Sequence, residues 1–178
     1  MRGSWVWIET KDAAADASIT FDLPVGYDVY RIDMVSMIVG TDSKILNCRF
    51  SDDAGATFEA DASDYSWMYQ GGRITAPATY TVTDTADAAD SEITIANNCG
   101  TTGTESQSME TVIWNALEAA TPTHIIWQLA HRQTTNLWSM KTGSGEVFVA
   151  AANDAVQYIM SSGNIASGRF VLTGLVST

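Results

Sequence analysis

A chain of 178 residues, 46% hydrophobic and 17% charged, is long enough to bury the core of one domain and too apolar to be disordered. Nine basic residues against 21 acidic ones give a net charge of −12, which repels a phosphate backbone or an anionic membrane surface. The low charge also leaves little polar surface, an argument for apolar surface covered by neighbours in an assembled state.

The expected elements are short β-branched or aromatic runs separated by Gly, Asp, Asn and Ser. Residues 5–8 (Trp5-Val6-Trp7-Ile8) and 18–21 come first. The apolar run at 5–8 falls short of the ~7–15 residues of a signal peptide, and no run approaches the ~20 of a membrane helix. The chain is therefore expected to be made and to fold in the cytoplasm, where Cys48 (in a strand) and Cys99 (in a loop) stay as reduced thiols.

From 28 to 39, Tyr30, Ile32 and Met34 alternate with Arg31 and Asp33, the period-2 pattern of a half-buried strand. Residues 45–50 continue it, with Leu46, Cys48 and Phe50 on one face. The next eight residues, Ser51-Asp52-Asp53-Ala54-Gly55-Ala56-Thr57-Phe58, resemble the Asp box of sialidase-like propellers. That motif, Ser51, Asp53, Gly55, Thr57 and Phe58, is a tight structural hairpin turn in which Asp53 bonds backbone amides, Gly55 takes positive φ and Phe58 anchors the turn in the core. One copy cannot build a propeller, so sialidase activity does not follow. The carboxylates of Asp52, Asp53, Glu59, Asp61 and Asp64 are expected in a solvated loop. Calcium is the alternative, although EF-hand spacing is missing.

Tyr65, Trp67 and Tyr69 alternate, so a strand at 65–70 places three rings on one face. Core packing, a subunit interface and a glycan-stacking platform all fit that row. Later strands are expected at 92–95, 109–117, 123–130, 135–140, 146–150, 156–160 and 169–176, with 109–117 also compatible with helix. An acidic-alanine stretch at 83–91 and a Gly/Thr/Ser/Asn-rich stretch at 97–108 are expected to be long loops. The pattern predicts an all-β antiparallel sandwich, jelly-roll-like, as one domain over 1–178.

No catalytic apparatus is evident, and no enzyme activity or cofactor is expected. Of the two histidines, His124 shares a strand face with Ile126 and Gln128. His131 falls about 23 Å further along, so the two are expected as separate surface or interface residues. Nucleophile elbows, zinc-ligand pairs and phosphate-cradling loops are absent from the sequence.

Several segments resemble small structural proteins of tailed bacteriophages. They are Ser4-Trp5-Val6-Trp7-Ile8-Glu9-Thr10, Ala17-Ser18-Ile19-Thr20-Phe21 and Gly26-Tyr27-Asp28-Val29-Tyr30-Arg31. Arg49-Phe50-Ser51, Asp64-Tyr65-Ser66-Trp67 and the ending from Ser162 through Gly168-Arg169-Phe170-Val171-Leu172-Thr173-Gly174-Leu175 complete the set. In the phage proteins Tyr is usual where Thr173 stands, and the region 73–133 carries no likeness. The resemblance implies a β-sandwich on the virion exterior, often trimeric. Its foremost implied role is a capsid decoration or cement protein bound to the major capsid protein. The alternative is a tail-fibre or receptor-binding module that would use Tyr65, Trp67 and Tyr69 on host glycans. Expected contacts are Trp5, Trp7 and Ile8 on a docking arm at 1–10, with Asn98 and Thr101 in the loop at 97–108. Neither nucleic acid nor membrane is an expected partner.

Overall fold

The computed structural model describes residues 3–75, 79–134, 137–149 and 151–176. In chain order the strands are β1 (Ser4–Asp16), β2 (Ser18–Asp22), β3 (Val29–Val39), β4 (Lys44–Ser51), β5 (Tyr65–Thr75) and β6 (Thr79–Asp90). They continue with β7 (Ile93–Cys99), β8 (Gln107–Trp114), β9 (Thr123–Arg132), β10 (Trp138–Val147), β11 (Ala155–Met160) and β12 (Ile165–Val176). All pairings between them are antiparallel.

Two sheets face each other. One has eight strands in the order β1-β12-β3-β8-β9-β10-β5-β6, the other four in the order β2-β11-β4-β7. Setting aside the hairpins β5–β6 and β9–β10, the remaining eight strands pair first with last, second with second-last, and so inward: β1–β12, β2–β11, β3–β8, β4–β7. That nesting is a jelly roll. The two extra hairpins pair side by side through β5 and β10 and widen one sheet from four strands to eight.

Period-2 burial makes the strands. Tyr30, Ile32 and Met34 on β3 point inward, as do Leu46, Cys48 and Phe50 on β4. They meet Phe21, Tyr158, Phe170 and Leu172 from the strands around them in one core. The chain changes sheet between β1 and β2 at Ala15, which takes a left-handed φ of 66°.

Several expected elements differ. Residues 83–91 are not a loop: residues up to Asp90 belong to β6, an edge strand held by its ladder to β5. Its Ala and Asp side chains are mostly exposed, so pairing rather than propensity makes it a strand, and its charges discourage further pairing. The stretch 97–108 is shorter than a loop of that length. Residues 97–99 end β7, a 3-10 turn covers Gly103–Glu105, and β8 begins at Gln107. Residues 109–114 are strand rather than helix. Part of the run expected at 135–140 lies outside the described residues, as does Ala150.

The Asp-box-like segment forms its internal bonds but makes no hairpin, because β4 and β5 lie in different sheets. It is the turn that starts the crossover. The Ser51 hydroxyl donates to Asp53 Oδ1 (2.8 Å) and accepts from the Gly55 amide (3.0 Å). Asp53 also accepts from the Thr57 amide (2.8 Å) and hydroxyl (2.7 Å). Gly55 takes φ 76° with Phe58 close by; Phe58 is half-buried at the rim rather than in the core. The buried Tyr65 hydroxyl closes the crossover, accepting from the Phe50 amide (2.9 Å) and donating to the Glu59 carbonyl (3.0 Å).

The bonds from Thr57, then Ser51, hold the Asp53 carboxyl down at about 2. A depressed carboxylate adds stability above its unfolded value of 3.8 and loses it as pH falls toward 2. Asp53→Asn should lower Tm at pH 7 and shrink the further fall between pH 4 and pH 2. Thermal melts across that window check it, and equal acid slopes in both proteins would refute the assignment.

Candidate interaction surface and an interior polar cluster

Four strands cannot cover both faces of eight. The small sheet backs the inner face of the large one, and the outer face stays bare. Alternation fixes which side chains stand there. On β9 these are His124, Ile126 and Gln128, and their ladder neighbours on β10 are Glu146, Ser144 and Thr142. Two apolar areas result. One gathers Ile74, Tyr80, Val82, Trp138 and Met140, with Tyr80 66%, Met140 59% and Trp138 49% exposed. The Tyr80 ring lies over Gly72, where any side chain would collide with it.

The other area is a trough. Ser144 and Thr142 form its floor because β10 carries small residues there, and Ile126 on one side and Met68 and Ala86 on the other form its walls. Gly143 between them is required from the inner side, since a Cβ there would strike the Trp127 ring.

Trp5 and Trp7 reach the far edge of the same outer face. Residues 4–10 are the first half of β1, paired along β12, so this segment is an edge strand rather than a free arm. The Arg31 guanidinium sits over the Trp5 ring at 5.1 Å, and the Trp7 indole donates to the Thr10 hydroxyl (3.0 Å). Ile8 faces the other way and is partly buried against the core, so it does not share a face with Trp5 and Trp7. Asn98 and Thr101 are exposed near the end of β7, away from Trp5 and Trp7, and Asn98 holds a left-handed φ of 57°.

The aromatic row lies on one face as alternation requires, but that face is the core. Tyr65 and Tyr69 are buried and Trp67 half-buried, its indole donating to Asp90 (2.9 Å). Trp67 and Tyr69 stack on each other with ring centroids 5.8 Å apart. A glycan platform built on these three rings is excluded by their burial.

Sequence reasoning missed a polar cluster inside the sandwich, beneath β7 where the small sheet ends. Gln107, His131 and Ser139 lie in one inward row across β8, β9 and β10, all buried. His131 is thus a core residue, not a surface one. Among the described residues neither of its ring nitrogens has a hydrogen-bond partner, and burial followed by the Lys141 charge holds its pKa down at about 3. Cys99 is buried at the end of β7 rather than in a loop; its thiol donates to Gln107 Oε1 (3.2 Å), and burial pushes it up to about 11.

Lys141 is only 1% exposed. Its Nζ donates to Asn97 Oδ1 at 2.6 Å and sits 4.2 Å from the centre of the Tyr69 ring. Burial lowers its pKa to about 8. The parity of Ile125, Trp127 and Leu129 carried on to His131 was the available signal; Lys141, flanked inward by Ser139 and Gly143, had none. Among the described residues no group of three His, Cys, Asp or Glu is placed to hold a metal ion.

No family model matches the sequence, and no curated protein does. Among solved structures, the chain aligns over 99% of its length with VP2 in the subviral particle of infectious bursal disease virus, at 10% identity and a TM-score of 0.16. T=1 particles derived from infectious bursal virus align over 98% at 11% identity and a TM-score of 0.13. The chain spans 42% and 40% of those chains, and likeness at these scores carries no argument about fold or function.

A buried histidine with a depressed pKa makes the fold acid-labile. The unfolded chain takes up a proton near 6.5 and the folded one only near 3, so stability falls as pH drops between them. His131→Leu should flatten the decline of Tm from pH 6.5 to pH 4. An unchanged slope would show that His131 is solvated.

Proposed function

We propose that this chain is a structural protein of a tailed-phage virion, most specifically a decoration or cement protein that docks as an oligomer on the outside of the capsid shell. The observation that carries the reading is the bare outer face of the eight-stranded sheet, with Ile74, Tyr80, Val82, Trp138 and Met140 exposed together. Soluble domains seldom leave such contiguous apolar surface open unless a partner covers it. Net charge of −12 argues against nucleic acid as that partner, and the phage-like segments at both ends of the chain point to a virion.

Mechanistically the protein works by mass action. Binding the assembled lattice and not its dissociated subunits shifts the equilibrium toward the intact shell. Tyr80, Trp138 and Met140 supply buried apolar contact, the largest source of affinity in such interfaces. Trp5 and Trp7, at the far edge of the same outer face, extend the footprint. The glycan-reading alternative has lost its platform, because Tyr65 and Tyr69 lie inside the sandwich.

Binding to particles stripped of this protein provides the test. Trp138→Glu and Met140→Glu should each weaken occupancy about tenfold or more with little change in Tm, since both side chains are exposed. Full occupancy in the double variant would overturn the docking face. Antibody labelling confined to the tail would overturn the decoration role itself.

A further inference from the structure

Lys141 and Asn97 are placed for a reaction that ordinary core packing does not call for. The amine belongs to β10 in the large sheet and the carboxamide to β7, the edge of the small one, 44 residues apart in sequence. Nζ lies 2.6 Å from Oδ1, and therefore beside the Cγ that carries it. The other end of the carboxamide is also held: Asn97 Nδ2 donates to the Tyr69 hydroxyl at 3.1 Å. The Tyr69 ring at the same time packs against Nζ. Amine, carbonyl carbon and leaving nitrogen are thus fixed together in a site closed to water on the lysine side. A bound pair with this orientation replaces a bimolecular encounter with an intramolecular one.

We infer that Lys141 and Asn97 join in an intramolecular isopeptide bond that staples the two sheets of the sandwich together. The uncharged Nζ attacks Asn97 Cγ and a new C–N bond forms; the Cγ–Nδ2 bond breaks and Nδ2 leaves as ammonia. One proton moves from Nζ to Nδ2. The Tyr69 hydroxyl, which accepts from Nδ2 in the starting state, is the group placed to protonate the leaving nitrogen once that bond reverses, and it recovers a proton from the attacking amine. The balance is a primary amine plus a primary carboxamide giving a secondary amide plus ammonia, with no oxidant or co-reactant. Burial supports the step, because it lowers the Lys141 pKa to about 8 and so supplies uncharged amine at mildly alkaline pH. The ionisable groups facing Lys141 are His131, Cys99 and Tyr69; Cys99 raises the amine's pKa but burial outweighs it, and burial itself keeps the Cys99 thiol and the Tyr69 phenol protonated. The product would remove a buried ammonium that no carboxylate pairs among the described residues.

The inference is independent of the capsid reading and is tested on the full chain itself. Intact-mass spectrometry should show a deficit of one ammonia, about 17 Da, that grows to completion on incubation at pH 9. Trypsin should no longer cut after Lys141, and residues 74–132 should appear joined to residues 133–169. Lys141→Arg should keep the full mass, and Tyr69→Phe should slow bond formation by about a hundredfold. Wild-type protein that keeps its full mass at pH 9, with cleavage at Lys141, would overturn the inference. So would an ammonia deficit without the joined peptides, which would mark succinimide formation at an asparagine instead.

Discussion

Everything in this protein follows from an imbalance between its two sheets. Eight strands form one layer and four form the other, so the inner face of the large sheet is only partly backed and its outer face is not backed at all. The jelly-roll strands β1, β12, β3 and β8 lie in one half of the large sheet and contribute Phe170, Leu172, Tyr30 and Ile32 to the core. The inserted strands β9, β10, β5 and β6 extend beyond them. Wherever a sheet outruns its cover, its side chains must become polar, meet a partner, or find another way to be satisfied.

All three outcomes occur. Toward the far edge the chain becomes polar: β6 is mostly exposed and carries Asp84, Asp87 and Asp90, which make the free edge unattractive to other strands. On the outer face it stays apolar, which is the basis for assigning a docking role there. Beneath β7, where cover runs out gradually, the interior turns into the polar cluster of Lys141, Asn97, Gln107, His131 and Cys99. Buried groups of this kind are costly when unpaired, and among the described residues both His131 ring nitrogens and Gln107 Nε2 lack a hydrogen-bond partner. A covalent bond between Lys141 and Asn97 would replace a buried ammonium with a neutral amide and tie β10 to β7.

Strand identity, the all-β class and much of the core were readable in the amino-acid order, because alternation encodes which face is buried. Tyr30, Ile32 and Met34, and Leu46, Cys48 and Phe50, were assigned to one face each, and each set is buried. Tyr65, Trp67 and Tyr69 were likewise placed on one face, but alternation has no sign: it separates two faces without saying which meets the core. That is why the same row fitted a core and a sugar platform equally well. Residues 83–90 could not be recognised as strand, since Ala and Asp have weak β preference and only the ladder to β5 holds them.

The sequence by itself determined the composition, the acidic charge, the period-2 strands and a turn held by Asp53 with Gly55 at positive φ, all of which depend on composition or near neighbours. Only the tertiary structure decided the nesting of strands, the inward turn of the aromatic row, the burial of His131 and the meeting of Lys141 with Asn97. These depend on which strands lie side by side and which sheet covers which, and contacts between residues 44 positions apart leave no mark on either residue's surroundings in the chain.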